Sequence, residues 1–118
     1  MKKILIILTL LLCMTGCKNE PKVEYADGSF SGEGQGMGGV IDLTVTIENG
    51  KITQIVTNSH SETASYYEEV ETELFDKIIQ ANTTTNVDEV TGATKTSDGV
   101  LEAVSNALKD AKAQLGES

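Results

Sequence analysis

The densest chemistry in the chain lies in the run Asp88, Glu89, Val90, Thr91, Gly92, Ala93, Thr94. Two threonine hydroxyls flank a Gly-Ala pair, and Lys95 and Thr96 lead on to Ser97, a good helix N-cap residue. A helix starting there leaves backbone N–H groups from about Lys95 to Gly99 without helical partners. Such a cluster suits a phosphate, and Lys95 adds a positive charge. Gly92 and Ala93 are small and leave room beside the hydroxyl of Thr94. Taken alone, the same run also reads as a plain loop running into an N-cap.

Other chemistries are poorly supplied. No Ser-His-Asp set and no Cys-His pair is evident, which argues against hydrolysis. His60 is the single histidine, and a metal site has little else to draw on. The glycine-rich stretch Gly28–Gly39 precedes a strand rather than a helix, so it is not a dinucleotide-binding fingerprint. No Gly-Lys-Ser/Thr ends it, so it is not a P-loop.

The spacing of Asp88, Thr91, Gly92, Ala93 and Thr94 resembles the flavinylation motif of the FMN-binding domain family: Asp, two variable residues, Ser or Thr, then Gly-Ala-Thr. The resemblance implies that Thr94 receives FMN through a phosphoester bond and that Asp88 is recognised by a separate flavin transferase. Thr96 is the near-miss acceptor. His60-Ser61-Glu62-Thr63 resembles the family loop in which a His and a Glu-Thr pair lie near the flavin, although Ala64-Ser65 stands where glycine is frequent. The implied site is therefore Thr94, Asp88, Thr91, Gly92, Ala93, Lys95, Thr96, His60, Glu62 and Thr63. The family order runs glycine-rich segment, hairpin, His loop, helix, motif, closing helix, and residues from about Gly28 to Leu115 follow it. The same domain occurs in flavin-carrying subunits of the sodium-pumping NADH:quinone reductase and in small surface lipoproteins of extracellular electron transfer. The implied role is electron relay rather than catalysis on a substrate.

The elements that must position these residues are legible. In Val40–Glu48, Ile41, Leu43, Val45 and Ile47 alternate with polar residues, which predicts a strand. Asn49-Gly50 is the preferred type I′ hairpin turn and sets Ile47 opposite Ile52 and Glu48 opposite Lys51. The return strand, Lys51 to about Asn58, alternates imperfectly: Ile52, Gln54 and Val56 share one side and Ile55 falls on the other, suggesting that both faces are partly covered. The glycine-rich stretch predicts a first strand open to close approach by backbone or ligand, and with the sheet a pocket for the flavin ring. Ser65-Tyr66-Tyr67-Glu68 has a capping-box pattern. Tyr67, Val70, Leu74 and Ile78 then recur at helical spacing as far as Ala81-Asn82. Tyr66 could pack on a ring or join the helix. Thr83 to Asp88 reads as extended. Val100, Val104, Leu108, Ala111 and Leu115 mark a closing helix ended by Gly116. The expected fold is α+β: a small twisted antiparallel sheet with two helices packed against it.

The N-terminal end carries an address. Met1-Lys2-Lys3 is basic, and Ile4–Leu12 is apolar apart from Thr9. That stretch is too short for a bilayer span, which takes roughly 20 residues, and has the length of a signal-peptide core. Met14-Thr15-Gly16-Cys17 resembles a lipobox, with Cys17 as the lipidated residue. Cys13 would leave with the signal peptide, so the mature chain would hold no disulfide. The expected organisation is a signal peptide over 1–16, a lipidated cysteine and polar tether over 17–27, and an FMN-binding domain over 28–117 on the extracytoplasmic side of the cell membrane. The net charge is −9 and all nine basic residues are lysines; without Lys2 and Lys3, 7 basic residues face 18 acidic ones. Such a balance argues against nucleic acid as a partner. Expected partners are a flavin transferase, a membrane redox donor and an external or periplasmic acceptor. Two alternatives stay open: a surface lipoprotein that binds a small ligand non-covalently, and a structural module whose motif is vestigial.

Overall fold

Strict alternation in Val40–Glu48 drives Ile41, Leu43, Val45 and Ile47 to one face. In the computed structural model, which describes residues 25–116, these four are at most 1% exposed. The expected signal peptide and the expected lipidation site Cys17 lie outside the described residues. Strands β1 (Gly28–Gln35), β2 (Val40–Glu48) and β3 (Lys51–Ser59) form an antiparallel meander in that order. Asn49 (φ 56°) and Gly50 (φ 77°) both take the positive φ that a type I′ turn demands. The predicted pairs Ile47–Ile52 and Glu48–Lys51 are present.

β3 departs from the expected alternation for a definable reason. The β2–β3 register shifts between Thr46 and Ile47, so that Ile47 faces Ile52 while Thr46 already faces Gln54. This bulge reverses the side-chain parity beyond it. Ile52 and Ile55 are therefore both buried on the same face, and Val56 is turned outward at 42% exposure. One face of the sheet is covered, not both.

Helices α1 (Ala64–Ala81) and α2 (Thr94–Gly116) cover that face: α2 lies along β1 and β2, and α1 packs on β3. The architecture is the expected α+β one. No helix among the described residues is long and apolar enough to cross a membrane. α1 buries Tyr67, Val70, Leu74, Phe75 and Ile78. It starts two residues earlier than the capping-box pattern allows: Thr63 is the N-cap, without a side-chain bond, and Ser65 lies inside the helix. Thr83–Asp88 is turned rather than extended, with Asn86 at φ 65° and the Val87 N–H directed to the Thr84 carbonyl.

The glycine-rich strand has its explanation in α2. A Cβ on Gly32 would stand 2.1 Å from the Ala103 carbonyl oxygen, and one on Gly34 would stand 2.0 Å from that of Gly99. Gly99, Ala103, Ala107 and Ala111 repeat every fourth residue, and the first three face this strand. Strand and helix thus meet backbone to backbone. The ring pocket expected beside the strand is filled by the helix.

Among the described residues, packing is already present at Tyr25, ahead of Gly28. Tyr25 is 2% exposed, its hydroxyl donates to the Asn82 carbonyl (2.9 Å), and Lys112 Nζ stands 5.9 Å from its ring centroid. The Ala26 N–H donates to the Ala111 carbonyl, and Asp27 accepts the Gly50 N–H. Asn82 gathers several ends of the chain. It caps α1 in the left-handed conformation (φ 59°), and its Oδ1 accepts the Ile52 N–H at 2.7 Å. Asn82→Ala is expected to cost about 2–3 kcal/mol, from the left-handed backbone and the orphaned Ile52 N–H. Urea melts check this, with Asn82→Gly expected to recover the backbone part only.

Candidate functional site

The motif is built by a tight turn. The Ala93 N–H donates to the Val90 carbonyl (3.0 Å), and Gly92, third of the four, sits at φ 86°. A type II turn reserves that position for glycine. A Cβ on Gly92 would meet nothing within 4 Å, so backbone freedom rather than space requires glycine here. Val90 is 3% exposed and anchors the turn in the core, with its N–H donating to Ser97 Oγ at 3.1 Å.

That bond changes the expected role of Ser97. It is not the N-cap: α2 already begins at Thr94, and the Ser97 N–H closes the first turn on the Ala93 carbonyl (2.9 Å). The amides without helical partners are those of Thr94, Lys95 and Thr96, so the expected run from Lys95 to Gly99 begins one residue earlier and ends at Thr96. Thr94 and Lys95 are exposed, and Thr94 stands in the first helical position. A phosphate on the Thr94 hydroxyl would meet these N–H groups and the positive end of the helix dipole.

Thr94 and Thr96 differ sharply in access. Thr96 is 5% exposed, and its hydroxyl donates to Glu62 Oε1 at 2.6 Å. Glu62 Oε1 also accepts the Met37 N–H (2.9 Å), and Oε2 accepts the Gly38 N–H (2.7 Å). One buried carboxylate thus ties the β1–β2 loop to the start of α2. Met37, Tyr66 and the run Gly92–Thr96 line an open cleft of about 340 Å³. Thr94 lies on it.

Several expected site residues stand elsewhere. His60 stacks on Tyr67 with ring centroids 3.9 Å apart, and its Nδ1 accepts the Glu62 N–H at 3.0 Å. It orients Glu62 rather than lining the cleft. Burial pushes the Tyr67 phenol up to about 12, which suits a core residue bonded to Thr57. Thr63 caps α1 through its backbone carbonyl. Thr91 is exposed on the turn, and Asp88 borders a separate shallow depression with Lys77 and Gln80. The neighbouring Asp98 carboxyl raises the pKa of the exposed Glu89. Among the described residues, no group of three or more His, Cys, Asp or Glu side chains is placed to hold a metal.

Met37 is the cleft residue that sequence reasoning missed. A large apolar side chain inside the run Gly36-Met37-Gly38-Gly39 has no helical or strand stripe to join. That isolation was the available signal.

The charge on Glu62 has a testable sign. Burial pushes its pKa up, but hydrogen bonds from Thr96, Gly38 and Met37, with His60 nearby, outweigh this and hold it below the ordinary carboxylate value. A carboxylate with a lowered folded pKa stabilises fully above its unfolded value, and the contribution is lost as pH falls through the folded one. Glu62→Gln is expected to cost about 1–3 kcal/mol at neutral pH. The gap to wild type should close as the pH drops below the ordinary glutamate range. Urea melts across pH check this; a gap that persists into acid would mean that the charge does not matter.

The α+β domain thus brings together an exposed threonine at a helix N-terminus, amides without helical partners around it, and a cleft lined by Met37, Tyr66 and Gly92–Thr96. The chain belongs to the FMN-binding domain family, whose sequence profile matches residues 36–109. It is 33% identical over 89 residues to the NADH:acrylate oxidoreductase of Vibrio harveyi, covering 73% of this chain and 8% of that protein. It is also 33% identical over 86 residues to an uncharacterized protein of Treponema pallidum (strain Nichols), covering 73% of this chain and 24% of that one. The chain thus spans under a quarter of the length of either relative. Residues 36–109 thus form an FMN-binding domain.

Proposed function

We propose that this protein is an electron carrier, anchored by a lipid on Cys17 at the extracytoplasmic face of the membrane, with FMN esterified through its phosphate to Thr94. The observation that carries this reading is the placement of Thr94: exposed, first in α2, beside free amides, on the edge of the cleft. Thr96 has a buried and bonded hydroxyl and is a poor acceptor. FMN supplies the ability to accept two electrons together and release them singly. The chain supplies the hydroxyl, the amides that bind phosphate charge, and Lys95 beside them. Forming the ester makes a Thr94 Oγ–P bond with loss of the hydroxyl proton. The flavin donor must therefore bring its phosphate in an activated diphosphate form, whose P–O–P bond breaks. A separate flavin transferase performs that step and recognises the exposed Asp88.

A carrier fits better than a substrate-converting enzyme because the cleft, about 340 Å³, lies at the small end of ligand sites, roughly 300–1,000 Å³. It offers room for a ring and little beside it. Electrons would enter from a membrane donor and leave to an acceptor outside. Support for the anchor comes from the run Met14-Thr15-Gly16-Cys17 directly after a short apolar stretch.

The test is co-expression with a flavin transferase, followed by denaturation, desalting and intact mass. The expected result is yellow colour that stays with the chain and a mass increase of one esterified FMN. Colour that washes out would point to non-covalent ligand binding, and protein that never colours would point to a vestigial motif; either outcome defeats the proposal. Cys17→Ala is expected to shift the protein to the soluble fraction. Continued membrane retention, with the signal still attached, would defeat the anchor.

A further inference from the structure

Two large apolar side chains are left in solvent at the same place. Met37 is 73% exposed and Tyr66 is 54% exposed, and both line the cleft that holds Thr94. Neither contributes to the core. They come from different elements, Met37 from the β1–β2 loop and Tyr66 from the first turn of α1.

The loop that carries Met37 is firmly held. The Gly36 N–H donates to the Gly39 carbonyl (2.8 Å), and the Met37 and Gly38 N–H groups both donate to Glu62. A Cβ on Gly38 would stand 2.3 Å from the Ser61 carbonyl oxygen, so the loop lies directly against the next one. The same Glu62 carboxylate accepts from Thr96 in the first turn of α2. The exposed methionine and the exposed threonine are therefore fixed to a common buried group.

We propose that Met37 and Tyr66 form the seat of the flavin ring, and that Glu62 is the positioning residue that holds the Met37 side of the seat in register with Thr94. The inference rests on the reading of Thr94 as the attachment point. An aromatic face suits a planar ring system, and a thioether makes favourable contacts with one. Covering both side chains removes exposed apolar surface from water. Glu62 is not itself a lining residue and is hydrogen-bonded to two that are, Met37 and Thr96, so it acts by placement.

Two measurements test the seat separately from the ester. First, full-length protein made with a flavin transferase is compared with Tyr66→Leu and Met37→Ala, with fluorescence counted per flavin-bearing molecule by intact mass. Both substitutions are expected to raise flavin fluorescence and its quenching by iodide. Glu62→Gln should do the same, but should add nothing in the Met37→Ala background. A purely structural role for Glu62 would lower the melting temperature and leave iodide access independent of Met37. Second, protein made without a transferase is titrated with free FMN. Saturable quenching is expected, weakened about three- to tenfold in Tyr66→Leu, the worth of one stacked aromatic pair. This arm stands whether or not Thr94 is esterified, so absence of the mass increase would count against the ester and the carrier reading, not against the seat. Unchanged fluorescence and iodide access in both variants, or no saturable quenching by the parent, would overturn the seat. The substituted side chains are exposed, and circular dichroism verifies that the fold is retained.

Discussion

Gly34→Ala is expected to lower the melting temperature by about 15 °C or more, the equivalent of about 3–5 kcal/mol in a domain of this size. The added Cβ would stand 2.0 Å from the Gly99 carbonyl oxygen and 2.7 Å from the Ala103 amide nitrogen. Both are backbone atoms of a helix, so no side chain can swing away. The strand and α2 must separate along their length, and close packing on either side of the seam is lost. Total stability is about 5–15 kcal/mol for an ordinary domain, so the loss is a large share of it. Gly92→Ala is the control. Its Cβ meets nothing within 4 Å, and only the positive φ of 86° is strained, which costs about 1–2 kcal/mol. Thermal melts of the two variants therefore separate contact from conformation. Equal losses would mean that β1 and α2 do not touch as described.

Thr94→Val is expected to abolish covalent flavin altogether. Valine nearly preserves the shape of threonine and removes the hydroxyl. The side chain is exposed in the first turn of α2, so the fold should tolerate the change. Thr94→Ser keeps a hydroxyl and should keep the ester. Thr96→Val should keep the ester too, while losing stability, because Glu62 Oε1 would lose its 2.6 Å partner. Intact mass after co-expression with a transferase, with peptide mapping, decides among them. A modified peptide that carries FMN on Thr96 would move the site. No modification of wild type would remove the ester and with it the carrier reading.

The order of elements was legible because short-range rules control it. Alternation located β2, Asn49-Gly50 fixed the hairpin, and the period of Tyr67, Val70, Leu74 and Ile78 located α1. What failed was long-range. Ser97 looks like an N-cap, yet its hydroxyl is taken by Val90, seven residues earlier, and α2 gains another turn. The parity of β3 depends on a bulge, which no residue type in Lys51–Ser59 signals. The glycines of β1 hinted at close approach without saying to what; only packing shows that a helix, not a ring, comes near. In the site, the motif points to Thr94, and the structure adds that it is exposed in the first turn of α2. The linking of Met37 to Thr96 through Glu62 joins residues far apart in the chain and has no local signature.

The hydrogen bond from Ala26 to Ala111 gives the molecule two poles. It seats the incoming N-terminal segment against the late turns of α2, whereas Thr94 opens that helix. At 1.5 Å per residue, the rise between Thr94 and Ala111 is about 25 Å. Any tether ahead of Tyr25 thus arrives at one pole and the cleft faces out at the other. Under the proposed anchoring, α2 would work as a standoff, setting the cleft away from the point of attachment. A partner diffusing in from bulk would then meet the cleft first. One embedded in the same surface as the proposed anchor would meet the opposite pole, unless the domain tips over on its tether.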